Sequence, residues 1–116
     1  MSSSVIFFGW NRSVARREKI SAVHFDEFVK YLGGRQAKGE IEGFDAVLLD
    51  SHGGDLNGFF LIKGEPTKLD ALTSTDEWIK HLTRAALHLE GSGAVRGVTG
   101  DAIAKRMEIW TGAIPA

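Results

Sequence analysis

The sequence predicts an α+β fold, and three observations carry the prediction. Two short runs, residues 5–8 (VIFF) and 59–62 (FFLI), are apolar at every position, as in strands buried on both faces. Two longer stretches carry apolar residues at helical spacing. Glycines, Asp, Asn and Ser gather between these segments rather than inside them.

In chain order, residues 5–10 (VIFFGW) read as a first strand that begins almost at once, with no basic region or long apolar run ahead of it. Residues 13–38 turn helical. Ile20, His24, Phe28 and Tyr31 fall within about 80° of one another on a wheel of 3.6 residues per turn, joined by Val23 and Leu32. Gly33-Gly34 and Gly39 offer two alternative ends. Residues 41–50 (IEGFDAVLLD) form a second strand with polar interruptions, and residues 51–58 are dense in turn formers. Residues 59–62 follow as a third strand.

Pro66 suits the first turn of a short helix to Leu72. Ser74 to Glu77 has capping-box spacing and opens a longer helix to about Glu90, with Trp78, Ile79, Leu82, Ala85, Ala86 and Leu89 as its core stripe and Gly91 as its stop. Residues 94–99 (AVRGVT) are a weaker fourth strand. Asp101 is placed to cap a last helix bearing Ile103, Met107 and Trp110 on one side, with the tryptophan expected in a core or interface.

The order β-α-β-β-α-β plus a tail helix is the split βαβ unit, hence a ferredoxin-like, four-stranded antiparallel sheet of order 4-1-3-2 in one domain, residues 1–116. The unbroken runs belong in the centre as strands one and three, taken here as running parallel. Glu42, Asp45, Asp50, Arg96 and Thr99 mark the edge strands. Two helices cover one face of such a sheet. Apolar side chains from Phe7 or Phe8, Phe59 or Phe60, and Leu48 or Leu49 are left on the other, a patch that homodimerisation through the sheet face would cover most simply, with the tail helix folding underneath as the alternative cover.

Bulk properties narrow the function classes. Fourteen basic and fifteen acidic residues give a net charge of −1, which offers no electrostatic attraction to nucleic acid or to a membrane surface. No segment approaches the roughly 20 apolar residues of a bilayer span. With no cysteine there is no disulfide, thiolate metal site or cysteine nucleophile, in keeping with a cytoplasmic protein.

With these elements in place the chain resembles the dimeric α+β barrel superfamily over residues 4–100. The run HGGDLNGFFLIKG, residues 52–64, is similar to a segment of small uncharacterised bacterial proteins of that kind. The superfamily includes cofactor-free monooxygenases, haem enzymes such as chlorite dismutases, muconolactone isomerases and proteins of unassigned chemistry. The resemblance therefore implies a dimer and a pocket, and no particular reaction.

Among candidate functional residues His24 stands first, as a histidine in the stripe that faces the sheet and a candidate general base. His52, Asp55 and Asn57 share the glycine-rich loop; His52 and Asp55, three apart, could share a metal or line a pocket mouth, though two ligands are too few for a site, or the three simply build the turn. His81 and Arg84 lie on one flank of the long helix with His88. His81 and His88 are about 10 Å apart at 1.5 Å per residue, too far to share a metal easily. Trp78 is a candidate aromatic wall. No metal or cofactor is called for; a haem would need His24, His81 or His88 as its ligand, and the sequence selects none of them. Two functions are expected as alternatives: binding or transformation of a small molecule in a pocket between helices and sheet near His24, or a non-catalytic dimeric module with no open pocket.

Overall fold

A computed structural model describes residues 4–116; the lead-in at residues 1–3, read above as free of targeting features, lies outside the described residues. The chain runs β1 (Ser4–Trp10), β2 (Arg12–Ser13), α1 (Glu18–Ala37), β3 (Gly43–Leu48), β4 (Gly58–Gly64), α2 (Pro66–Thr73), α3 (Asp76–His88), β5 (Leu89–Glu90), β6 (Gly93–Val98) and α4 (Ala102–Gly112). The main sheet has the order β3-β4-β1-β6, the ferredoxin-like order, and every pairing in it is antiparallel.

The central pair, β1 with β4, is therefore antiparallel and not parallel. Connectivity explains the correction. The α1 crossover returns β3 in the direction of β1, and the hairpin then sends β4 back between them in the opposite direction.

Alternation along the strands divides the residues between two faces. Ile6, Phe8 and Trp10 on β1 and Phe60 and Ile62 on β4 look toward the helices, whereas Phe7, Phe59 and Leu61 look away. Ile6, Leu32, Phe60, Ile62 and Leu69 are the largest fully buried side chains, so the core lies between the sheet and the helices. At Gly58 the absence of a side chain is required: the Trp10 indole lies across it, and a Cβ there would sit 2.4 Å from Cζ2. That contact fixes one wall of the site described below.

α1 passes straight through Gly33-Gly34, at about 1 kcal/mol per glycine relative to alanine, because Phe28, Tyr31 and Leu32 are buried around them. The chain turns at Gly39, with φ of 74°. Ile20 and Val23 are exposed, since the face of α1 turned to the core runs through His24, Phe28, Tyr31 and Leu32; Ile79 and Ala86 are exposed on α3. The cap of α3 is Thr75, whose hydroxyl accepts from Trp78 N at 3.3 Å, while Ser74 donates to Asp70 O. α3 ends at His88, and Gly91 serves instead as a left-handed residue in the turn between β5 and β6. Asp101 makes no side-chain cap. Trp110 is 62% exposed, and α4 buries none of its residues.

Candidate functional site

The site is the seam between α1 and α3. On α1, Ser21, His24, Phe25 and Phe28 fall on one face by i, i+3, i+4 and i+7 spacing; on α3, His81, Arg84, Ala85 and His88 do the same. Ala85, 1% exposed, leaves room for the two helices to approach. His24, 4% exposed, fits between the two α3 histidines.

The three imidazoles form one hydrogen-bonded chain. His24 Nδ1 is 2.7 Å from His88 Nε2, and His24 Nε2 is 3.0 Å from His81 Nδ1. The rings of His24 and His81 are nearly parallel at 8°, while that of His88 is turned 80° from His24. The chain continues at its other end: His88 Nδ1 is 2.8 Å from Ser21 Oγ, and Ser21 Oγ is 2.7 Å from Ser13 Oγ. Local backbone holds this end in place. β2 and β5 pair as a two-residue ribbon, Val14 N donates to His88 O at 2.8 Å, and an Arg17 guanidinium N–H donates to Leu87 O.

Burial sets the electrostatics. Desolvation, helped by the nearby Arg84 guanidinium, pushes the His24 pKa down to about 4, and the same two causes lower His81 and His88. The rings are therefore neutral at physiological pH. Arg84 donates to Glu27 Oε2 at 2.7 Å, which holds that carboxyl below its ordinary pKa. Arg84 is thus tied to this chain's own α1.

Beside the serine–histidine end lies a half-open cavity of about 210 Å³. Phe8, Trp10, Phe25, Phe28 and Phe60 wall it, with Ser13, Ser21, His24 and His88 as its polar side. On the other flank His81 lines a separate, polar groove with Glu27, Tyr31, Lys80 and Arg84.

The sequence's candidates are distributed unevenly about this site. His24, His81 and Arg84 meet in the seam. Trp78, 2% exposed, belongs to the core near Phe28 and does not line the cavity. His52 and Asn57 build the β3–β4 loop: His52 Nε2 lies 2.8 Å from Leu56 O, Gly54 N donates to His52 Nδ1, and Asn57 bonds Asn11 and Trp10. Asp55 is exposed in the same loop. Ser21 and Ser13 are additions of the structure, and so is the part played by His88, which the sequence places on the helix flank without selecting it. The available signal was the seven-residue spacing of His81 and His88, which leaves room for a histidine from a facing helix. Among the described residues no group of three or more His, Asp or Glu is arranged to hold a metal; the three seam histidines point at one another. No described helix is long and apolar enough to cross a membrane.

No protein-family model and no curated protein matches the sequence. The solved structures that the chain resembles include the following two. One is described as a dimeric protein of unknown function with a ferredoxin-like fold from Bacteroides fragilis, 16% identical, covering 83% of this chain and 96% of that one at a TM-score of 0.57. The other is SnoaB, described as a cofactor-independent oxygenase from Streptomyces nogalater, a more distant likeness at 14% identity, covering 86% and 96% with a TM-score of 0.49. At these identities the likeness concerns architecture alone: the chain has the ferredoxin-like α+β fold.

Proposed function

We propose that the chain binds a small, largely aromatic molecule in the cavity between α1, α3 and the sheet and exchanges a proton with it. The observation that carries this reading is an aromatic-walled cavity whose polar side is one hydrogen-bonded Ser–His–His chain. A dry cavity of roughly 150 Å³ takes benzene, so about 210 Å³ suits a substituted single ring. Both ring nitrogens of His24 are occupied by other histidines, so the group that meets the ligand is the Ser21 hydroxyl backed by His88, with His24 behind it. A neutral imidazole in that position accepts a proton from a phenolic or enolisable group.

Phenol and toluene are suitable probes. Calorimetry is expected to show saturable binding of both, tighter for phenol, with the preference lost in Ser21→Ala and all binding lost in Ala22→Phe, which adds a ring at Ala22, an exposed residue of the cavity lining. Failure of either probe to bind would leave the closed, non-catalytic module as the better account. Labelling of Ser21 by a fluorophosphonate would also overturn the proton-exchange reading, because the serine would then be a nucleophile.

The same reading includes a homodimer through the outer face of the sheet. Phe7 stacks on Phe59 at 4.9 Å there, beside Leu61 and Val47, and Val95 is 62% exposed. Leu48, by contrast, lies on the cavity side. A contiguous apolar patch of this kind favours a partner, and the similar B. fragilis structure is described as dimeric. Light scattering is expected to give about 25 kDa, twice the 12.6 kDa chain, and a monomer for Val95→Glu; a wild-type monomer at micromolar concentration would refute the dimer.

A further inference from the structure

We infer that His88, His24 and His81 form a two-state proton wire that couples the cavity to the polar groove on the far side of the helix seam. The inference rests on the reading of the cavity as a proton-exchange site, and it extends that reading to a second surface of the protein.

Hydrogen counting leads to the wire. A neutral imidazole carries one N–H, and the two contacts between rings join Nε2 of one histidine to Nδ1 of the next throughout: His88 Nε2 to His24 Nδ1, then His24 Nε2 to His81 Nδ1. Each contact needs one hydrogen and one lone pair. If His24 carries its hydrogen on Nε2, it donates to His81 Nδ1, which forces the His81 hydrogen onto Nε2. Its bare Nδ1 must then receive from His88 Nε2. If His24 carries the hydrogen on Nδ1, both neighbours are forced to Nδ1 as well. The three rings thus share one tautomer, all-ε or all-δ, and a mixed arrangement breaks a buried bond.

The two states present opposite chemistry at the two ends. In the all-ε state His88 Nδ1 is a lone pair that accepts from the Ser21 hydroxyl, and His81 Nε2–H is a donor at the groove. In the all-δ state His88 Nδ1–H donates to Ser21 Oγ, and His81 Nε2 is a lone pair at the groove. Passage from one to the other moves one proton in and one out. The ligand gives its proton to Ser21 Oγ as the Ser21 hydroxyl proton passes to His88 Nδ1. His88 Nε2–H passes to His24 Nδ1, His24 Nε2–H passes to His81 Nδ1, and His81 releases its Nε2 proton to the groove. Each ring ends neutral, so no imidazolium is left in the seam, where burial penalises charge. Return of a proton from the groove runs the same steps backward, from His81 Nε2 through His24 and His88 to Ser21, which gives its proton back to the deprotonated ligand. His24 and His81 are on this account positioning residues that act through His88 and Ser21, and the Arg84–Glu27 pair sits at the exit beside His81.

The test is nitrogen-15 NMR of the full chain labelled at histidine, where ring nitrogen shifts report tautomer directly. In the free protein near pH 7 the three seam histidines are expected in a common tautomer, with nitrogen–nitrogen coupling across both contacts. Addition of phenol is expected to shift the rings of His88 and His81 together, and His24→Phe to abolish the His81 response while His88 still responds. His81→Phe, at the half-buried end of the wire, removes the exit and is expected to leave the His24–His88 coupling in place, which serves if His24→Phe does not fold. Opposite tautomers in His88 and His81, or a His81 that ignores bound phenol in the wild type, would overturn the wire. If phenol does not bind at all, the cavity reading fails by itself, and the common tautomer of the free protein still decides the wire.

Discussion

His24 and His52 are the same side chain in two regions of one small molecule, and their surroundings differ in every respect that matters for chemistry. His52 lies in the exposed β3–β4 loop and bonds backbone groups two and four residues away, Gly54 N and Leu56 O. It holds a turn. His24 lies buried between two helices and bonds only side chains, 57 and 64 residues away, which are themselves histidines. A loop histidine with local backbone partners has its hydrogen bonds fixed by the turn, whereas a seam histidine with titratable partners shares its proton state with them. A ring in the seam is held neutral by burial, and its protonation becomes a property of the fold.

The largest effect that sharpens this contrast is acid sensitivity. An unfolded histidine takes up a proton near pH 6.5, whereas folded His24 does so near 4, so the unfolded state binds more protons between those values. The contribution of neutral His24 is complete above pH 6.5 and lost as pH falls toward 4, on the order of 3 kcal/mol in all. Urea midpoints across that window are expected to fall in the wild type, and to fall less in His24→Phe. An equal slope in the two proteins would mean that His24 is not the acid-labile group.

At neutral pH, His24→Phe is expected to cost about 1–3 kcal/mol, because it leaves His88 Nε2 and His81 Nδ1 buried without partners. Ala85→Leu tests the same seam by size. It is expected to cost about 1–3 kcal/mol by forcing the helices apart, and to abolish phenol binding as the extra methylenes enter the cavity. The smallest effect belongs to the loop: His52→Ala is expected to cost roughly 1 kcal/mol or less and to leave probe binding unchanged. A large effect of His52→Ala on phenol affinity would erase the distinction between the two regions.

Much of the fold is legible in the sequence because strand polarity is a local signal. The unbroken VIFF and FFLI against the interrupted outer strands identify the central pair and the order of the sheet. Strand direction in that pair is not written in composition; it follows from element order, because a crossover followed by a hairpin makes the central pair antiparallel. The placement of α4 is hidden too: an amphipathic pattern at Ile103, Met107 and Trp110 reads the same whether its apolar side meets a core or is left exposed, as here.

The site is legible only in halves. His24 shows itself as a histidine inside an apolar stripe, and His81 and Arg84 as polar residues on a helix flank. That these halves meet depends on the pitch and spacing of α1 against α3, which small residues such as Ala85 decide. His88 escapes selection because two histidines two turns apart look unrelated until a third ring is placed between them. Ser21 and Ser13 carry no signal of their own; it is the β2–β5 ribbon that brings Ser13 to the end of α3. Trp78 stands out in the sequence for its ring, and burial in the core accounts for it.

The measurement that bears most directly on the central claim is the protonation of the His24 ring itself, followed by NMR in the intact protein as pH is lowered. His24 is expected to stay neutral to about pH 4, with His81 and His88 also titrating below the ordinary histidine value. A His24 midpoint at the ordinary value of about 6.5 would show the ring to be solvated and separate from its neighbours, and would contradict a neutral histidine chain in the seam.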